Sequence, residues 1–134
     1  MKIGLVLSLT GPAASLGIPA RDTLALLPKE MGGRPVDYIK LYEAKQGAGL
    51  VSAFGSYAWD AGMLLNRAAP LAMKAGAPGM PAFRNALRDA LENTKNFSDT
   101  NGQVNMSLTD HIALDQRARV MVEIRDGKWL YQPR

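Results

Sequence analysis

The sequence predicts an α/β fold, and three observations carry that expectation. Residues 3–9 form an almost continuous apolar run of strand length, broken by Thr10-Gly11-Pro12 and followed by a helical pattern. Residues 52–75 hold a steady apolar seam at helical spacing. Residues 117–125 alternate, with Val120, Val122 and Ile124 on one face, and lead into Asp126-Gly127. That dipeptide is a strong two-residue hairpin signal, because both positions must adopt positive φ. The chain has 134 residues, 47% of them apolar and 21% charged, which suits one soluble domain with its own core.

Each element follows from local chemistry. The run at 3–9 reads as a strand buried on both faces. Ile18-Pro19 opens a helix, with Pro19 in the first turn where its missing N–H costs nothing. Ala20, Leu24, Leu27 and Met31 share one face of it, Pro28 shortens it, and Gly32-Gly33 ends it. Residues 36–41 read as a second strand, giving a right-handed βαβ unit over 1–40. The second helix spans 52–75, with Phe54, Ala58, Ala61, Leu65, Ala68, Ala72 and Ala75 as its seam; Pro70 bends it and Gly76 caps it. A third helix runs from 81 to about 95 on Phe83, Leu87, Ala90 and Leu91, with Arg88 and Glu92 paired one turn apart. Asn101-Gly102 is a turn, 103–108 a strand, 109–111 a turn, and 128–131 the returning hairpin strand.

Composition excludes several classes of function. There is no cysteine, so there is no disulfide, thiolate nucleophile or thiolate metal ligand. The net charge is +4 and the isoelectric point about 9.6. Arg117, Arg119, Arg125 and Lys128 are the densest basic cluster, and without interleaved aromatics they read as a solvated face, not a nucleic-acid surface. Met1 is followed at once by the strand pattern, so no signal peptide is expected. No apolar run approaches the roughly 18–20 residues of a membrane span. The phosphate-binding patterns GxGxxG and GxxxxGK[ST] are absent, and Pro12 lies between the widely spaced Gly11 and Gly17.

Residues 2–24, KIGLVLSLTGPAASLGIPARDTL, resemble the opening of the periplasmic solute-binding proteins of ABC transporters, of the branched-chain amino-acid (Leu/Ile/Val-binding) type. Residues 41–134, with YAWDAG at 57–62, FRNALRDALE at 83–92 and TDHIALD at 109–115, resemble the closing part of the same family. The join is expected near 39–41, where VDYI resembles the family's second strand and LYEAKQGAG the tail of a much later helix. The resemblance implies a two-lobed receptor shortened inside to one lobe. That lobe would be a flavodoxin-like three-layer sheet with helices on both faces, incomplete relative to the family and completed by oligomerisation. It implies a periplasmic chain without a cofactor that holds a small carboxylate solute and presents it to an ABC permease. The loop version SLTGPAASLG resembles the branch taking apolar or aromatic carboxylates, which suits benzoate-like acids or branched-chain amino acids. The alternative is a folded, oligomeric remnant that has lost ligand binding and transport.

The loop at 8–17 is the leading site candidate. It follows the carboxyl end of a strand and precedes a helix N-terminus, where open α/β sheets bind ligands and free amides favour a carboxylate. The resemblance places Thr10, Ser15 and Leu16 in the cleft; the competing reading is an ordinary tight turn. Trp59 and Tyr57 read as core or packing surface, with Asp60 capping or pairing locally. His111, between Asp110 and Asp115, reads as structural: one histidine without a serine in a nucleophile elbow makes no catalytic triad, and a metal site needs more ligands. Glu30, Glu43, Asp89 and Glu92 form no acid–base couple. The chain is therefore expected not to be an enzyme.

An apolar strand edge left bare at 3–9, and final strands lacking their sheet, would expose more apolar surface than soluble monomers carry. A homodimer or larger assembly is expected, through edge pairing or exchange of the C-terminal strands.

Overall fold

A computed structural model of the chain describes residues 7–24, 35–114, 116, 119 and 121–132. Among these residues, four helices and two antiparallel strand pairs follow in order: α1 (Ala14–Leu24), α2 (Pro35–Gln46), α3 (Ala53–Met73), α4 (Pro81–Glu92), β1 (Phe97–Ser98), β2 (Gln103–Val104), β3 (Met121–Arg125) and β4 (Lys128–Gln132). The mixture of helix and strand is that of the predicted class. The strand expected at 3–9 lies mostly outside the described residues, and its described end, 7–9, is in no regular element. Leu27, Pro28, Met31 and Gly32-Gly33 are also outside them, as are Asp115 and Arg117.

The central element is α3, 21 residues long, with α1 and α4 packed against it. Ser52 starts it as an N-cap: its backbone is extended, and its hydroxyl accepts from the Phe54 N–H at 3.2 Å. Pro70 lies inside the helix without ending it, and Lys74 is the C-cap. The seam read from the sequence is correct only in the C-terminal half, where Ala68 and Ala72 are buried. In the N-terminal half the buried face is Gly55, Ser56, Trp59, Asp60 and Gly62, while Phe54 is 46% exposed and Ala61 is exposed. Glycines carry no apolar signal, yet they let neighbouring helices approach closely, so the true contact stripe was one residue out of phase with the apparent one.

The largest correction concerns residues 36–41. They are helical, so the expected βαβ unit over 1–40 does not form. Pro35 occupies the first turn of α2, where proline is favoured. Tyr38 and Tyr42 fall one turn apart, which a helix brings together and a strand would separate. Their ring centroids lie 5.6 Å apart, and the Tyr38 ring is 5.6 Å from that of Trp59. These three rings form a buried cluster, flanked by Val51 and Met63. The helix is continuous through 39–41, so no element boundary marks a join there.

The third predicted helix is α4, three residues shorter than expected, with Pro81 in its first turn and Phe83 buried. The strand expected over 103–108 is confined to β2, which pairs antiparallel with β1 around the Asn101-Gly102 turn. The Asp126-Gly127 signal is fulfilled: φ is 51° at Asp126 and 72° at Gly127, the two positive values of a type I′ turn, and β3 and β4 pair antiparallel around it. The alternating segment begins its described strand at Met121, later than the expected 117.

Candidate functional site

The loop at 8–17 and the first turn of α1 form one unit. The Ala14 N–H donates to the Gly11 carbonyl at 3.1 Å, closing a turn in which Gly11 has φ of 72°. The Leu16 and Gly17 N–H groups both donate to the Ala13 carbonyl, at 3.1 and 3.3 Å. The chain before the turn then folds back over the helix. A Cβ at Gly17 would lie 2.0 Å from the Ser8 carbonyl oxygen, so only glycine permits that contact.

Thr10, Ser15 and Leu16 are all exposed. Thr10 stands in the bend before the turn, and Ser15 and Leu16 stand in the first turn of α1, which starts earlier than the sequence suggested. Pro19 is therefore an interior residue of α1. Lacking an N–H, it cannot bond the Ser15 carbonyl four residues back. Two hydroxyls and the exposed side chain of Leu16 thus stand in the segment that leads into a helix N-terminus, with its partial positive charge. Such a segment can hold an anion with an apolar tail; it contains no nucleophile–base pair.

Helix α1 beyond the turn is anchored to α2. Thr23 Oγ1 donates to the Pro19 carbonyl at 2.8 Å and lies 3.3 Å from the Tyr38 hydroxyl. With the threonine proton committed, Tyr38 is the donor in that pair. Burial raises the Tyr38 pKa, the Thr23 hydrogen bond opposing it, which keeps the phenol protonated. Gly55 of α3 lies directly beneath: a Cβ there would be 2.4 Å from the Tyr38 hydroxyl and 2.7 Å from Thr23 Oγ1.

A second polar cluster was missed by sequence reasoning. Asp60 is buried on α3 and accepts from the Thr100 N–H at 3.0 Å, the Thr100 hydroxyl at 2.5 Å and Asn101 Nδ2 at 3.0 Å. Ser56 joins it through Asn101 Nδ2 at 3.2 Å. Burial raises the Asp60 pKa against those hydrogen bonds, and the nearby Asp99 charge raises it further. Asp60 therefore pairs across the fold and not locally, as its place beside Trp59 had suggested. Only its phase with Gly55 and Gly62 on the buried stripe could have revealed it.

His111 does not pair with Asp110, whose carboxylate accepts from the Ile112 and Ala113 N–H groups at 3.0 Å. Its Nε2 lies 3.2 Å from Glu92, and Arg88 lies 3.9 Å from the same carboxylate. Arg88 has a closer partner in Asp89, at 2.6 Å. Trp59 is core at 2% exposure, whereas Tyr57 is half-exposed. Among the described residues no group of three His, Asp or Glu is placed to hold a metal ion, and no helix is long and apolar enough to cross a membrane.

Solved structures of known proteins resemble this fold. An extracellular ligand-binding receptor from Rhodopseudomonas palustris matches with a TM-score of 0.65 and 31% identity over 86% of this chain and 32% of its own. Two receptors of the same description from Rhodopseudomonas palustris HaA2 match at 33% identity and TM-score 0.60, and at 28% identity and TM-score 0.65. They cover 79% and 86% of this chain, and 30% and 32% of their own. The chain thus spans about a third of the length of these receptors and matches part of the α/β fold of periplasmic binding proteins. No protein-family profile and no curated protein matches it.

Proposed function

We propose that this chain is the shortened solute-binding component of an ABC transporter of the branched-chain amino-acid type, acting in the periplasm. One receptor lobe, joined across a missing middle, holds a small apolar or aromatic carboxylate, or a branched-chain amino acid, and presents it to a permease without chemistry. The observation that carries this reading is the likeness, at 28–33% identity, to receptors described as ligand-binding. The loop supports it independently. Thr10 and Ser15 offer hydroxyls to a carboxylate at the N-terminus of α1, and Leu16 offers contact to an apolar tail. No cofactor is involved.

The coverage of the receptors favours a second reading. A chain spanning 30–32% of them supplies only part of any cleft they enclose, so it could be a folded, oligomeric remnant without ligand. In both readings a homo-oligomer covers apolar surface that the missing part would have covered. Calorimetric titration with benzoate and with leucine separates the two. Saturable heat that is lost in Thr10→Val and Ser15→Ala supports the receptor; flat traces for both solutes overturn it and support the remnant.

A further inference from the structure

The β3–β4 hairpin offers strand edges that the helical core does not use. Val122, Ile124 and Tyr131 are 44%, 63% and 62% exposed. Its register is Arg125 with Lys128, Ile124 with Trp129, Glu123 with Leu130, Val122 with Tyr131 and Met121 with Gln132. A two-residue turn makes the flanking Arg125–Lys128 pair hydrogen-bonded, and hydrogen-bonded and open pairs then alternate. The main-chain groups of Val122 and Ile124 therefore point out from the β3 edge, and those of Trp129 and Tyr131 point out from the β4 edge. Among the described residues neither edge meets another strand.

The two edges differ in what they can accept. Pairing β3 with a second β3 at full overlap puts Glu123 on the two-fold axis, opposite its own counterpart, and like charges directly opposite are destabilising. Sliding by two residues one way brings Ile124 to the axis and runs the strand into the Asp126 turn; sliding the other way brings Val122 to the axis, and either leaves one hydrogen-bonded pair within Met121–Arg125. The β4 edge has no such conflict. With Leu130 on the axis, Trp129 lies opposite Tyr131 of the other copy twice, and both pairs are hydrogen-bonded. Lys128 then lies opposite Gln132 at the ends. The only charge on β4 is kept away from its counterpart, and the three central residues are apolar or aromatic strand formers. The Glu123 carboxylate is meanwhile occupied within its own hairpin by Arg125 and Gln132, at 3.1 and 2.8 Å.

We propose that β4 is a self-recognition edge: two copies pair antiparallel through residues 128–132 about an axis at Leu130. This makes a four-stranded sheet ordered β3-β4-β4-β3. The assignment does not depend on whether the α1 loop takes a solute.

The test uses the whole chain. Sedimentation equilibrium at micromolar concentration is expected to give the mass of a dimer. Leu130→Lys places an ammonium opposite Glu123 in its own hairpin, which the monomer accommodates, but opposite its own counterpart across the axis. It is expected to raise the dimer dissociation constant roughly fivefold, with the far-UV circular dichroism unchanged. In this cysteine-free chain, Leu130→Cys is expected to form a covalent dimer on mild oxidation, while Ile124→Cys on the β3 edge remains uncrosslinked. A monomeric chain overturns both this edge and the self-association in the proposed function. A dimer undiminished by Leu130→Lys, or one crosslinked through Ile124→Cys instead, overturns the edge alone.

Discussion

Replacing Gly55 by alanine probes the crossing where α1, α2 and α3 meet. The added Cβ would lie 2.4 Å from the Tyr38 hydroxyl, whereas ordinary contact begins at 3.4 Å, so the hydroxyl must retreat by about 1 Å (3.4 − 2.4). Tyr38 is fully buried against Tyr42 and Trp59, which leaves its ring little room to move. Overpacking of this kind costs about 1–3 kcal/mol. Alanine returns about 1 kcal/mol through its better helix propensity. The expected net loss is therefore about 0–2 kcal/mol. The sharper quantity is the coupling to Tyr38. In a Tyr38→Phe background the nearest obstructing atom is gone, and Thr23, freed from its hydroxyl partner, can yield. There Gly55→Ala is expected to cost about 1 kcal/mol less than in the parent chain. Urea unfolding followed by far-UV circular dichroism, at one protein concentration for all four variants, reads this cycle. Equal costs in both backgrounds, or a full propensity gain in the parent chain, would falsify the close packing described here.

Other outcomes follow from the same geometry. Because burial raises the folded pKa of Asp60 above 3.8, its contribution to stability is fully present below 3.8 and is lost as pH rises through the raised value. Asp60→Asn is expected to flatten that part of the stability–pH curve, which urea midpoints measured upward from pH 3.8 will show. Ser52→Ala removes the α3 cap and is expected to lower stability by about 1 kcal/mol in the same assay. Gly17→Ala drives a Cβ into the Ser8 carbonyl and displaces the loop. It is expected to abolish the heat of solute binding while leaving most far-UV ellipticity intact, and unchanged binding would show that the loop plays no part in it.

The elements carried by strong local chemistry were legible in the sequence. The apolar seam placed α3, the Phe83–Leu87 spacing placed α4, and the Asp-Gly pair fixed the turn of the last hairpin. The failures came where tertiary contacts outweigh pattern. The six residues at 36–41, four of them apolar, fit a strand as well as a helical turn. The deciding fact was Tyr38 and Tyr42 closing on Trp59, a contact that no local rule announces. The Gly55–Trp59–Gly62 stripe escaped because two of its members have no side chain to score. Asp60 read as a local cap or partner because its true partners, Thr100 and Asn101, lie far along the chain. Thr10, Ser15 and Leu16 are each exposed, but the fold-back at Gly17 that holds their loop against α1 was not legible.

The Asp60–Thr100 bond spans 40 residues and draws a noose around most of α3, the whole of α4 and β1. Everything inside that noose shares one knot. Amide exchange at Thr100 should then keep the clock of whatever opening frees the Asp60 carboxylate, since that carboxylate holds its N–H.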